Sequence, residues 1–165
     1  MTPPDQPDLH AISIQQPWLD MILREEKTWE IRGWELKRRG LLALHCPWGI
    51  DYAAAHFYGY AAPWKFRRGA IVGLATVAGV RSLDGSDWMA CVRFHRQPLP
   101  FAGGHFAIEL TDVFVLPSPV EYRGKPGTFG LDPAAAGRVW SQYAARQVSP
   151  PAGSPASDEL GLGPA

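Results

Sequence analysis

"AIVGLATVAGVRSL", residues 70–83, is a long apolar run of β-branched and small residues. It reads as a buried strand, with Gly73 and Gly79 as the points where it bends. "HFAIELTDVFVL" (105–116) reads as a second long strand. Shorter strands are expected at 11–15, 28–33, 41–46 and 128–131, from alternation and β-branched content. Between them fall three helices. "WLDMILREE" follows Pro17 and puts Trp18, Leu19, Met21 and Ile22 on one apolar face. Asp51 caps a helix running to about Phe57. Asp132–Pro133 opens the last, with Val139, Trp140 and Tyr143 as its packing stripe. "DGSD" (84–87) reads as a turn and 88–103 as irregular. The order β-α-β-β-α-β-β-β-α, with two long bent strands, predicts an α+β fold: a small, curved, partly closed mixed β-barrel flanked by about three helices. A doubly wound parallel sheet fits less well, because few helices separate the later strands and no Gly-rich phosphate loop follows the first.

The 165 residues suffice for one hydrophobic core, and 46% apolar with 19% charged residues is a globular composition. The expected domain is 10–147. The Pro- and Asp-rich residues 1–9 and the Pro-, Gly-, Ser- and Ala-rich residues 148–165 are expected to be disordered tails. Lys plus Arg total 16 and Asp plus Glu total 16, a net charge of zero. Composition therefore gives no argument for bulk attraction to duplex nucleic acid, and any nucleic-acid contact must come from local clusters or a pocket. Cys46 and Cys91 lack metal-ligand spacing and are too few for a disulfide framework. The five His show no ligand spacing either, so no metal is expected. No apolar run approaches a membrane span and no signal peptide is visible, so a cytoplasmic protein without a membrane partner is expected.

The most charged strand is "KTWEIRGW" (27–34). Side chains alternate across a strand, so Glu30 and Arg32 share one face and Trp29 and Ile31 take the other. Such a face is either solvated or the floor of a cleft. The flanking Trp18, Trp29 and Trp34 supply flat walls, and "QQPW" supplies two amides, Gln15 and Gln16. Amides read base edges, Trp faces stack on bases, and Arg and Lys meet phosphate or carbonyl oxygen. Two basic runs with interleaved aromatics, "LKRR" (36–39) and "WKFRR" (64–68), are either solvated loops or a landing surface for a phosphate backbone.

"SIQQPW", "MILREEKTWEIRGW", "RGLLALH" and "LTDVFVLPSPVEYRGKPGTFGL" together resemble an ASCH domain, a family of the PUA-like barrel folds named for homology to a transcriptional coactivator. The resemblance runs from about residue 11 to 131. Its centre, the pattern Gly-x-Lys-x-x-Glu-x-Arg, falls on Glu25, Lys27, Glu30 and Arg32, with Glu25 where the family has Gly. The resemblance implies RNA or nucleotide binding in a cleft lined by Lys27, Glu30 and Arg32. Gln15 and Trp18 would stand at its mouth, Trp34 would flank it as a stacking wall, and Arg123 and Lys125 would lie on a far loop. It implies no cofactor. It also leaves two other functions open. One is a metal-independent hydrolase of acylated cytidine nucleosides or of RNA, with Lys27 and Glu30 in acid–base roles. The amidohydrolase relatives carry a nucleophilic Thr where Glu30 stands, which counts against direct transfer of their chemistry. The other is a protein-interaction module with partners in transcription-related regulation.

Overall fold

The computed structural model describes residues 7–95 and 103–146. Six strands form one curled sheet in the order β2-β5-β4-β3-β1-β6. The strands are β1 (His10–Ser13), β2 (Trp29–Arg32), β3 (Gly40–Cys46), β4 (Ala70–Ser82), β5 (Phe106–Glu121) and β6 (Thr128–Gly130). All pairs are antiparallel except β1 with β3, so the sheet is mixed. The register slips once between β3 and β4 and three times between β4 and β5, between Ile71 and Gly73, Leu74 and Thr76, and Val77 and Gly79. Each slip bends a strand and increases local twist, which curls six strands into a partly closed barrel.

Alternation sorts the side chains between two cores. Ile12, Leu42, Leu44, Val72, Val77 and Ile108 pack with Leu19 and Ile22 of α1 (Trp18–Leu23). Ala11, Ala43, Ile71, Leu74 and Val120 pack with Ala135, Ala136 and Val139 of the last helix, α4 (Pro133–Ala145). The Asp132 side chain accepts the Ala135 N–H at 2.8 Å and Pro133 occupies the first turn, as the sequence pattern predicts. A third cluster joins Leu83, Trp88, Cys91 and Phe94 to Trp29 and Ile31 on the back of β2.

Three expectations need correction. There are four α-helices among the described residues, because the expected turn at 84–87 opens α3 (Gly85–Ala90) after α2 (Tyr52–Phe57). Asp84 and Asp87 close a reciprocal capping box there, each side chain accepting from the other's backbone N–H. Strand β5 continues through Pro117 and Pro119 to Glu121, five residues past the predicted end. Its pairing with β4 skips from Val115 to Val120, so the prolines fall where the ladder is interrupted and no N–H is needed. Finally, Leu9 is not part of a tail: it is 3% exposed, packs in the α4 core, and its carbonyl accepts the Leu131 N–H at 2.9 Å. Of the other expected tail residues, Pro7 and Asp8 are exposed, while 1–6 and 148–165 lie outside the described residues, as do residue 147 and 96–102 of the stretch expected to be irregular.

Candidate nucleotide cleft

Among the described residues the barrel does not close by backbone pairing. Strand β2 ends one side of the sheet order and β1 lies near the other, yet curling brings them face to face. Arg32 bridges the seam: its Nη2 donates to the Ser13 carbonyl at 2.6 Å and its Nε to Glu30 Oε1 at 3.0 Å. A hollow of about 330 Å³ lies at this seam, lined by Ser13, Ile14, Gln15, Trp18, Glu30, Ile31, Arg32 and Pro47. That is the low end of the size range of small-ligand sites.

Glu30 is the polar centre. It is 7% exposed, and its second oxygen, Oε2, accepts from Lys27 Nζ at 2.6 Å. Lys27 is 3% exposed, does not line the hollow, and also donates to the Phe94 carbonyl at 3.2 Å. Its ammonium sits 5.0 Å from the Trp18 ring centroid, a cation–π contact. Burial pushes the Lys27 pKa down, and the Glu30 carboxylate opposes that shift. Lys27 thus fixes the carboxylate from behind, while Arg32 fixes it from the seam. Among the described residues Arg32 Nη1 makes no hydrogen bond, so one end of the guanidinium keeps its donors for a ligand.

Trp18 is set by the helix that carries it. Gln16 is buried, and its Oε1 accepts the Asp20 N–H at 2.8 Å, capping the first turn of α1. Asp51 accepts the Ala54 N–H at the start of α2 and, through Oδ2, the Trp18 indole N–H at 3.2 Å. One carboxylate therefore caps a helix and orients the aromatic wall of the cleft. At the helix–strand junction Glu25 adopts φ +59°, the left-handed conformation that glycine takes without strain. The backbone keeps the glycine-like turn although the residue is Glu.

The other expected residues lie around this hollow. Gln15 is exposed on its lining. Trp34 is half-buried with the Arg32 guanidinium 5.9 Å from its ring centroid, and it lines a separate open groove with the basic loop Lys37–Arg39 and His10. Arg123 and Lys125 are exposed on the loop after β5, at a neighbouring hollow rather than at the seam itself.

Residues outside the charged motif complete the picture. Ser13 and His45 are register partners on the parallel strands β1 and β3, and Ser13 Oγ lies 2.9 Å from His45 Nδ1. His45 Nε2 lies 2.9 Å from the Tyr122 carbonyl. A carbonyl only accepts, so Nε2 carries the proton and Nδ1 accepts from the Ser13 hydroxyl. Burial lowers the His45 pKa, which favours this neutral form. No sequence signal marks the pair, because its partners stand 32 positions apart and meet only through a parallel pairing. Trp48 is 73% exposed beside them. Among the described residues no group of three or more metal-ligating side chains gathers, and no helix is long and apolar enough to cross a membrane.

The model of the ASCH domain family matches residues 12–125. Among curated proteins none matches the sequence significantly. Among solved structures, the chain is similar to ASCH from Zymomonas mobilis, at 12% identity and a TM-score of 0.53, covering 80% of this chain and 93% of that one. Two point mutants of the Zymomonas protein superpose equally well, with TM-scores of 0.52 and 0.54 at 12% identity, over 80% of this chain and 96% and 94% of theirs. At this identity the likeness concerns the fold.

Proposed function

Because the chain belongs to the ASCH domain family, we propose that the seam between β1 and β2 binds one nucleotide, free or as part of single-stranded RNA. The observation that carries this reading is the Glu30 carboxylate, held by Lys27 at 2.6 Å and Arg32 at 3.0 Å, at a hollow walled by Trp18. A fixed carboxylate accepts from the amino and imino N–H groups of a base edge. The Arg32 edge donates to a base carbonyl or a phosphate, and Trp18 offers an aromatic surface. Zero net charge suits a small or single-stranded ligand better than a long duplex.

Binding is better supported than hydrolysis by Lys27 and Glu30. In the hydrolase reading Lys27 polarises a substrate carbonyl and Glu30 activates water. Lys27 instead spends its charge behind the cleft, and both Glu30 oxygens already have cationic partners. Titration of labelled single-stranded RNA and of nucleotides against the wild type, Arg32→Ala and Glu30→Gln tests the proposal. Saturable binding that weakens at least tenfold in both variants is expected. Binding indifferent to both substitutions refutes it.

A further inference from the structure

We propose that the hollow on the other side of β1, floored by Ser13 and His45 and flanked by Trp48, is a second nucleobase site. It takes the nucleotide next to the one at Glu30 and Arg32, and so rests on the reading above. Ser13 and Pro47 line both hollows, which makes them one continuous surface around the end of β1.

The platform is Trp48. A tryptophan that is 73% exposed ordinarily lacks a fixed orientation, but this ring is held. Gly69 (φ +67°) lies so close that a Cβ there would fall 2.9 to 3.2 Å from Cζ2, Cε2 and Nε1 of the indole. The Arg68 guanidinium stands 5.7 Å from the ring centroid. Glycine and arginine thus support an aromatic surface that remains open to a ligand. Stacking on such a surface is available to any base.

Charge points to the rest of the ligand. Arg123 and Lys125 line the same hollow, are exposed, and make no ion pair among the described residues. With Arg68 they place three cations around one aromatic platform, the pattern that tracks a single-stranded phosphate backbone. The hollow encloses about 350 Å³, room for one nucleotide but not for a duplex.

The floor adds a preference among bases. The Ser13 hydroxyl hydrogen is committed to His45 Nδ1, because His45 Nε2–H is committed to the Tyr122 carbonyl. Ser13 Oγ therefore turns only lone pairs to a ligand. A base bearing an amino group satisfies it, whereas a carbonyl at the same position meets an acceptor.

Isothermal titration with cytidylyl-cytidine, uridylyl-uridine and cytidine monophosphate tests both parts, with the wild type, Trp48→Ala and Arg32→Ala. In the wild type the cytidine dinucleotide is expected to bind more tightly than the mononucleotide and than the uridine dinucleotide. Trp48→Ala should lower the ratio of dinucleotide to mononucleotide affinity by roughly 5- to 150-fold, the equivalent of one base–aromatic stack. Trp48 is exposed, so an unchanged unfolding temperature will show that the variant folds. If Trp48→Ala leaves the ratio unchanged while Arg32→Ala weakens both ligands, the second site is refuted and the first stands. Equal affinity for the two dinucleotides refutes the role of Ser13. If none of the three ligands binds the wild type, the seam reading fails and takes this one with it.

Discussion

Replacing Lys27 by Met tests whether the cleft is built on a buried ion pair. The substitution keeps most of the side-chain volume and removes the charge. The Lys27 side chain is 2% exposed and that of Glu30 is 9%, so solvent cannot replace the lost partner. Deleting one member of a buried pair costs about 3–5 kcal/mol, because the other charge is left without compensation. Two further losses act in the same direction: the hydrogen bond to the Phe94 carbonyl and the cation–π contact with Trp18. One contact acts against them, since Arg32 stays on Glu30 Oε1 at 3.0 Å. The lower end, about 3 kcal/mol, is the expected cost. Urea unfolding followed by tryptophan fluorescence at pH 7 measures it. With a slope of about 2 kcal/mol per molar, the midpoint falls by about 1.5 M. The double variant Lys27→Met/Glu30→Leu should lose at least about 2 kcal/mol less than the sum of the two single variants. A loss below about 1 kcal/mol for Lys27→Met, the range of exposed pairs, or additivity within about 0.5 kcal/mol, would refute the reasoning.

Glu25→Gly should stabilise the protein by up to about 1 kcal/mol, the relief of a left-handed residue less the entropy of glycine, since Glu25 is exposed at φ +59°; a lower unfolding temperature would contradict this. Gly124→Ala should cost about 1–3 kcal/mol by overpacking, because a Cβ there falls 2.4 to 2.6 Å from the His45 ring and Ser13 Oγ. Thermal unfolding within error of the wild type would show that this loop does not press on the pair. Burial holds the His45 and His95 imidazoles below their ordinary pKa of 6.5. Below pH 6.5 the unfolded chain therefore takes up protons that the native state does not. Stability is full above that value and declines as pH falls, by up to about 1.4 kcal/mol per pH unit for each group. His45→Asn should flatten the decline between pH 6.5 and 5 in urea titrations, and an unchanged slope would remove His45 from the account.

The strands were the most legible part of the chain. Each alternates or runs apolar because one or both faces meet a core, so all six are marked by alternation, apolar runs or β-branched content. Helix α3 was hidden because its capping box uses Asp87 in place of Glu and its first residue is Gly85, a pair that also spells a turn. The end of β5 was hidden by Pro117 and Pro119, which stop a regular ladder but not one that is already interrupted. Of the candidate site, alternation placed Glu30 and Arg32 together on β2. It gave no hint that Lys27 is buried, since lysine is seldom buried unless paired. The pairing of Ser13 with His45 and the support of Trp48 by Gly69 depend on contacts between distant segments, which no local pattern encodes.

Indole resonances offer the most direct test of the cleft. The chain has seven tryptophans, and ¹⁵N labelling gives each an indole N–H signal. Trp18 lines the hollow and donates its N–H to Asp51, whereas Trp88 is buried against α3's own cluster at 2% exposure. On titration with a short single-stranded RNA, the Trp18 signal, assigned through Trp18→Phe, should shift saturably while that of Trp88 stays in place. Saturation of the RNA with the Trp18 signal unmoved would place binding elsewhere on the molecule and contradict the assignment of the seam.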